Sequence, residues 1–253
     1  MEQGNNREFA IAVLAAGQGK RMNNPNMSKV MALLAGKPLI SHVLEQAEKT
    51  KPAKIVLIVG HQKQSVIDYV NANYNNIEFT EQKQQLGTGH AVAQTERVLE
   101  DFKGDVLILS GDVPLLKAET LDRFILNHNE TGSDISVLST ITDSPQGYGR
   151  IVRDAEGNFL RIVEEKDADE TQKAIKEINS GIYFADSRLL FESLSHVSNN
   201  NAQGEYYLTD IIEILYNQGK KVNCLPGADI KELQGINSPE DLAIAEKYYK
   251  ERI

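Results

Sequence analysis

Cysteine is almost absent. Cys224 is the one thiol in 253 residues, which excludes an intramolecular disulfide and a zinc site built on several cysteines. It stands in Val222-Asn223-Cys224-Leu225 and reads as a small buried hydrophobe. Positive charge is in deficit too: lysine and arginine total 27 against 36 acids, a formal net charge of −9. Binding to nucleic acid or to an anionic membrane surface needs clustered Lys and Arg, so neither is expected as a partner. A small polyanion needs only a few convergent cations and stays open. Long hydrophobic runs are missing as well, since no stretch approaches the roughly 20 apolar residues of a membrane span. The first eight residues carry Glu2, Glu8 and only Arg7, without the pattern of a secretory leader. The expectation is a cytoplasmic protein. No linker, internal repeat or low-complexity tract interrupts the chain.

What is present is an ordinary share of hydrophobic residues, 41%, in a chain long enough for one large α/β domain. Residues 9–16 form a continuous apolar run, as expected of a strand buried on both faces. Pro38 then opens a helix with Leu39, Ile40, Val43, Leu44 and Ala47 on one side. A second buried strand at 55–59, a helix at 65–72, a short strand at 77–79, a helix at about 90–99 and a buried strand at 106–109 follow. Strand alternating with helix implies a Rossmann-like, doubly wound, mostly parallel sheet. Later come a strand at 135–141, a hairpin over 151–159 with a glycine turn, a strand at 177–184 and helices at 187–194 and 207–217. Ser238-Pro239-Glu240-Asp241 announces the last helix, with an N-cap and proline at the first helical position. The chain is expected to be a single α/β domain over 1–253. Within it, a core at about 9–130 is followed by a second half at about 131–236 and a C-terminal helix at 237–253.

The first strand runs into Leu14-Ala15-Ala16-Gly17-Gln18-Gly19-Lys20-Arg21-Met22. Two glycines let backbone N–H groups approach an anion, and Lys20 and Arg21 add positive charge. A P-loop would need glycine at Leu14 and Ser or Thr at Arg21, so that reading fails. A dinucleotide fingerprint would need Gly or Ala at Met22 and fails too. A tight strand-to-helix turn without ligand stays open beside a triphosphate site, which Arg21 and Lys29 favour. This segment, with Ser28-Lys29-Val30 after it, resembles the signature of the sugar-1-phosphate nucleotidyltransferases. The resemblance implies that Leu14, Ala15, Ala16 and Gly17 wrap the nucleotide. It also implies that Arg21 binds the phosphate chain and that Lys29 lies near the transferring phosphoryl group. Ser28 stands where that family usually has proline, and the loop over 23–27 is slightly long.

Gln82-Lys83-Gln84-Gln85-Leu86-Gly87-Thr88-Gly89-His90-Ala91 lies between a strand and a helix, where a Gly-Thr-Gly turn exposes backbone groups able to read a base edge. An ordinary helix start is the alternative. The segment resembles the uracil-reading turn of the bacterial N-acetylglucosamine-1-phosphate uridyltransferases, implying base contacts from Gln82, Gly87 and Thr88. His90 reads as a structural residue on the helix. Ser110-Gly111-Asp112-Val113-Pro114 follows the buried strand at 106–109. A carboxylate at a strand's C-terminal end stands where open α/β sheets bind ligands and suits a hard cation such as Mg²⁺. Capping the turn before Pro114 is the other possibility. The resemblance implies that Asp112 ligates the metal and that Ser110 and Gly111 lie against the nucleotide, with Ser110 replacing an aromatic.

Gly147-Tyr148-Gly149-Arg150-Ile151, Ile162-Val163-Glu164-Glu165, Glu177-Ile178-Asn179-Ser180-Gly181 and the polar run 199–210 appear in the family's order. Together they resemble the uridyltransferase domain of the bifunctional bacterial enzymes over about residues 9–250. That implies amino-sugar contacts from Gly149, Glu164 and Asn179, and a second metal ligand in Asn237. The implied reaction is Mg²⁺-dependent uridylyl transfer from UTP to N-acetylglucosamine 1-phosphate. A pyrophosphorylase for another sugar, such as glucose, and a non-catalytic nucleotide-sugar sensor are the rival readings. No hexapeptide repeat occurs, so the left-handed β-helix domain of the bifunctional enzymes, their trimerisation element, is not expected within these residues, nor is an obligate trimer.

Overall fold

The alternation of apolar side chains decides the architecture. Along β1 (Phe9–Ala15), Ala10 and Ala12 pack on one face while Ile11, Val13 and Ala15 pack on the other, all buried. A strand covered on both sides needs helices on both sides of its sheet. The computed structural model of the chain describes residues 7–19, 22, 27–227 and 229–251. After β1 come a 3-10 turn at Lys29–Met31, the small hairpin β2 (Leu33–Leu34) and β3 (Lys37–Pro38), α1 (Leu39–Lys49), β4 (Lys54–Val59), α2 (Lys63–Asn73), β5 (Ile77–Glu81), α3 (Thr88–Ala93) and β6 (Asp105–Ser110). The chain continues through α4 (Ala118–Thr131), β7 (Ile135–Ile141), β8 (Arg150–Arg153), β9 (Phe159–Val163), α5 (Glu170–Lys173), β10 (Glu177–Asp186), α6 (Ser187–Leu194), α7 (Asp210–Asn217), β11 (Val222–Pro226), α8 (Ile230–Leu233) and α9 (Pro239–Lys250).

The main sheet runs β11-β7-β10-β6-β1-β4-β5, with β8 paired to β10 and β9. β1 is parallel to β4 and β6, β4 to β5 and β7 to β11. β10 enters antiparallel between β6 and β7. The fold is therefore the expected α/β arrangement with a mixed, mostly parallel sheet. Two large apolar clusters cover its faces, and a third lies under α9, built on Leu34, Leu39, Leu115 and Ile236. Cys224 is buried on β11, and burial pushes its thiol up to about 12. Among the described residues no helix is long and apolar enough to cross a membrane.

Three local expectations need correction. The helix expected at 90–99 is α3, which starts earlier and ends at Ala93. Beyond it, Gln94, Thr95 and Glu96 donate three residues back, to Ala91, Val92 and Ala93, and the Thr95 hydroxyl also donates to Val92. The tighter turns stop the α-helix. The helix expected from 207 begins at Asp210 because the preceding backbone is engaged sideways. Tyr206 N–H donates to Leu86, Tyr206 C=O accepts from Gly89 N–H, and Leu208 N–H donates to Thr88 Oγ1. Pro38 stands one residue ahead of the helix it introduces and serves as its N-cap. Helix α4 lay outside the expected elements. Its buried face includes the polar Thr120 and His128, which blur an apolar stripe.

Candidate active site

The C-terminal ends of β1 and β6 deliver their following residues to one cleft, as their parallel pairing requires. A cavity of about 270 Å³ opens there. Leu14, Ala15, Ala16 and Gly17 from the end of β1, Lys29, Gln82, Gly87, Thr88, Ser110 and Asp112 all line it. Gly111 stands behind the wall rather than on it, its N–H donating to Leu14 C=O at 2.9 Å. Gly87 holds φ +110°, and a Cβ there would lie 2.5 Å from Tyr206 C=O, so the turn closes only with glycine. Arg21 falls outside the described residues. Four lining residues escaped the sequence reading: Val30, Gln85, Ala91 and Glu205. Gln85 lay inside a motif already singled out, and Glu205 lay in the polar run 199–210, to which no contact was assigned. Neither residue type carries a signal by itself.

Lys29 opens the 3-10 turn, and the preceding Ser28 holds φ −61°, a value a proline ring also takes. Lys29 Nζ donates to Asp112 Oδ2 and, at 3.0 Å, to Asn237 Oδ1. Asp112 reaches this point from the turn after β6. Asn237 is brought by the C-terminal segment: Ile236 N–H donates to Asp112 C=O at 2.9 Å, and Asn237 N–H donates to Asp241 Oδ2 at 2.9 Å. Asp241 belongs to the capping box of α9, in which the Ser238 hydroxyl accepts from Asp241 N–H. Two oxygens from chain positions far apart thus converge on one cation. A hard ion that takes part of its shell from water and phosphate asks for such a pair, so Asp112 and Asn237 fit Mg²⁺. No cluster of three or more His, Cys, Asp or Glu that could hold a metal occurs among the described residues.

Gly149, Glu164 and Asn179 also come together. A Cβ on Gly149 would lie 2.9 Å from Ile162 Cγ2, 3.5 Å from Asn179 Cβ and 3.7 Å from Glu164 Oε2. Arg150, only 1% exposed, steadies this turn: it donates to Tyr148 C=O and pairs with Glu165 Oε2 at 2.6 Å, which also accepts from Gly147 N–H. A register shift in β10 past Asn179 re-aims that residue. Asn179 N–H donates to Gly149 C=O, its Oδ1 accepts from Gly181 N–H, and its Nδ2 donates to Tyr183 OH at 2.8 Å. Glu164 accepts from the Thr209 hydroxyl at 3.1 Å. Burial holds the Glu164 carboxyl above the usual range against that bond, and nearby Asp210 adds to the shift. The two clusters adjoin. A Cβ on Gly181 would lie 3.6 Å from Ser110 Oγ, and burial and the charges of Asp241 and Asp112 raise the Tyr148 phenol.

A nucleotidyl transferase family model matches residues 11–231. The bifunctional protein GlmU of Oceanobacillus iheyensis is 46% identical over 245 residues, 97% of this chain and 53% of the relative. Its counterpart from Caldanaerobacter subterraneus subsp. tengcongensis is 44% identical over 246 residues, 97% of this chain and 52% of the relative. That from Bacillus subtilis is 42% identical over 247 residues, 98% and 53%. The chain spans about half the length of the curated relatives it matches. A crystal structure of UDP-glucose pyrophosphorylase complexed with UDP-glucose superposes with a TM-score of 0.79 over 97% of this chain and 100% of the other at 19% identity, a likeness of fold.

Proposed function

The chain belongs to the nucleotidyl transferase family, and on that premise we propose that it transfers the uridylyl group of UTP to N-acetylglucosamine 1-phosphate, releasing pyrophosphate. The observation that carries this reading is the convergence of Lys29, Asp112 and Asn237 at the cavity that Gln82, Gly87 and Thr88 also line; Gly149, Glu164 and Asn179 gather beside it, where Gly181 approaches Ser110. Identities of 42–46% with GlmU proteins across nearly the whole chain support the choice of uridine nucleotide and amino sugar.

An oxygen of the sugar phosphate attacks the α-phosphorus of UTP, a new P–O bond forms, and the bond to the β-phosphate oxygen breaks. The electron pair leaves with pyrophosphate. The nucleophile is already anionic near neutral pH, so no general base is needed. Positioning and charge stabilisation supply most of the catalysis in such transfers. Asp112 Oδ2 and Asn237 Oδ1 would hold Mg²⁺, which when bound offsets the negative charge of the phosphates. Lys29 Nζ, which donates to those two oxygens here, would yield them to the metal and turn its charge to the phosphates, and Arg21 is assigned to the phosphate chain by its motif. The turn at Gln82, Gly87 and Thr88 orients the base, and Glu164 and Asn179 accept and donate hydrogen bonds to the sugar. Initial rates with UTP and a panel of hexose 1-phosphates test the proposal. N-acetylglucosamine 1-phosphate is expected to give the highest kcat/KM. Preference for glucose 1-phosphate, or no turnover with any sugar phosphate, would overturn it.

A further inference from the structure

We propose that His90 is a positioning residue that fixes the amide of Gln82 with its oxygen free for a base N–H, and so sets selectivity for uracil over cytosine. The inference rests on the uridylyl reading above and deepens it. Gln82 is 4% exposed and lines the cavity. Its Nε2 lies 3.0 Å from Gly87 C=O and 3.0 Å from His90 Nδ1. A backbone carbonyl can only accept, so the end of the amide facing Gly87 must be the nitrogen. Both amide hydrogens are then taken, one by Gly87 and one by His90. The carbonyl oxygen Oε1 is what the side chain has left to offer.

Accepting at Nδ1 requires a neutral imidazole with its proton on Nε2. The surroundings favour the neutral ring, and of the two amide nitrogens that face it the nearer, at 3.0 Å from Nδ1 against 3.4 Å from Nε2, assigns the lone pair to Nδ1. Burial lowers the pKa of His90, and Gln94 brings its amide nitrogen to 3.4 Å from the other ring nitrogen. That nitrogen is identified in turn by donating to His90 C=O at 2.9 Å. A protonated ring would therefore face amide N–H groups on both sides. Tyr206 packs beside the imidazole, ring centroids 6.5 Å apart.

The consequence is a matter of base chemistry. Uracil presents an N–H at position 3, which an amide oxygen accepts. Cytosine presents a lone pair there, which the same oxygen repels. To admit cytosine the amide must turn over, and its oxygen would then face Gly87 C=O while His90 is forced to shift its proton to Nδ1. Removing the His90 acceptor takes away one of the two penalties.

Asparagine places Oδ1 where histidine places Nδ1, whereas leucine places a methyl group there. The test compares kcat/KM for UTP and CTP, at fixed N-acetylglucosamine 1-phosphate, in the full chain and in His90→Asn and His90→Leu. His90→Asn is expected to keep the wild-type ratio. His90→Leu is expected to lower it by about tenfold to a hundredfold, with KM for the sugar phosphate unchanged. Equal losses with both nucleotides in His90→Leu, the outcome of a packing role, would overturn the proposal. Nitrogen-15 NMR of the imidazole in the wild-type chain decides independently of folding in the variants. An unprotonated Nδ1 is expected, and a proton on Nδ1 would refute the arrangement. A wild-type chain that turns over no uridine nucleotide refutes the uridylyl reading instead, and the ring tautomer still decides the Gln82 geometry.

Discussion

Lys29 is held by oxygens from Asp112 and Asn237, residues 83 and 208 positions along the chain from it, so the charge balance of the cleft rests on very few atoms. Replacing Asp112 with Asn keeps its shape and removes its charge. We expect kcat to fall by about 10²–10³ and a higher Mg²⁺ concentration to restore part of the rate, because weaker metal affinity is a mass-action defect. UTP binding by calorimetry should change much less, since the base turn is untouched. An Asp112→Asn chain with normal kcat and unchanged Mg²⁺ dependence would remove Asp112 from the site. A second residue reports on the fold rather than the chemistry. His128 is 4% exposed beside Ser136 Oγ and Phe184, and burial lowers its pKa from 6.5 to about 4. Between those values the unfolded chain binds the extra proton, so the contribution is fully present above pH 6.5 and is lost as pH falls toward 4. His128→Asn keeps an oxygen near Ser136 and cannot titrate. Unfolding by urea at pH 7.5 and pH 5 should show wild type losing about 2 kcal/mol more than the variant across that interval. Parallel losses would mean the imidazole takes up its proton without unfolding.

At the scale of elements, the capping box of α9 serves both the fold and the site. Ser238 Oγ accepts from Asp241 N–H, whereas Asp241 Oδ2 accepts from the N–H groups of both Asn237 and Ser238. Ser238→Ala should cost about 1 kcal/mol of stability and leave the Mg²⁺ requirement unchanged. Asp241→Ala should cost stability and also raise the Mg²⁺ concentration for half-maximal rate, because it frees the backbone that presents Asn237. If both variants shift the Mg²⁺ requirement equally, the cap does not position the ligand. This link was not legible in the sequence, although the helix start itself was. Ser238-Pro239 marks a boundary by local chemistry, but nothing local says that the same turn packs against Asp112. The strands β1, β4 and β6 were legible because burial on both faces gives unbroken apolar runs. The end of α3 was misjudged because tighter turns over Gln94–Glu96 replace the α-helix without breaking its apolar pattern, and the start of α7 because it is set by hydrogen bonds between segments about 120 residues apart, such as Leu208 N–H to Thr88 Oγ1. Short-range pattern carries no trace of such a bond.

At the scale of the whole molecule, the antiparallel entry of β10 between β6 and β7 makes one sheet of the chain's two halves. It also brings Gly181 on β10 against Ser110 at the end of β6. The motifs named most of the cleft's wall, yet Glu205 and Gln85 became visible only when the fold closed around the turn at Gly87. Arg21 remains a residue known by its motif. If the cleft works as proposed, the sugar phosphate takes the α-phosphorus of UTP there. UTP labelled at the α-phosphorus is incubated with N-acetylglucosamine 1-phosphate and Mg²⁺, and nucleotide sugar and pyrophosphate are followed together. All transferred label is expected in UDP-N-acetylglucosamine, one equivalent for each pyrophosphate released, and neither product is expected without the sugar phosphate. Label recovered as UMP, or pyrophosphate released at the same rate without the sugar phosphate, would contradict the proposal.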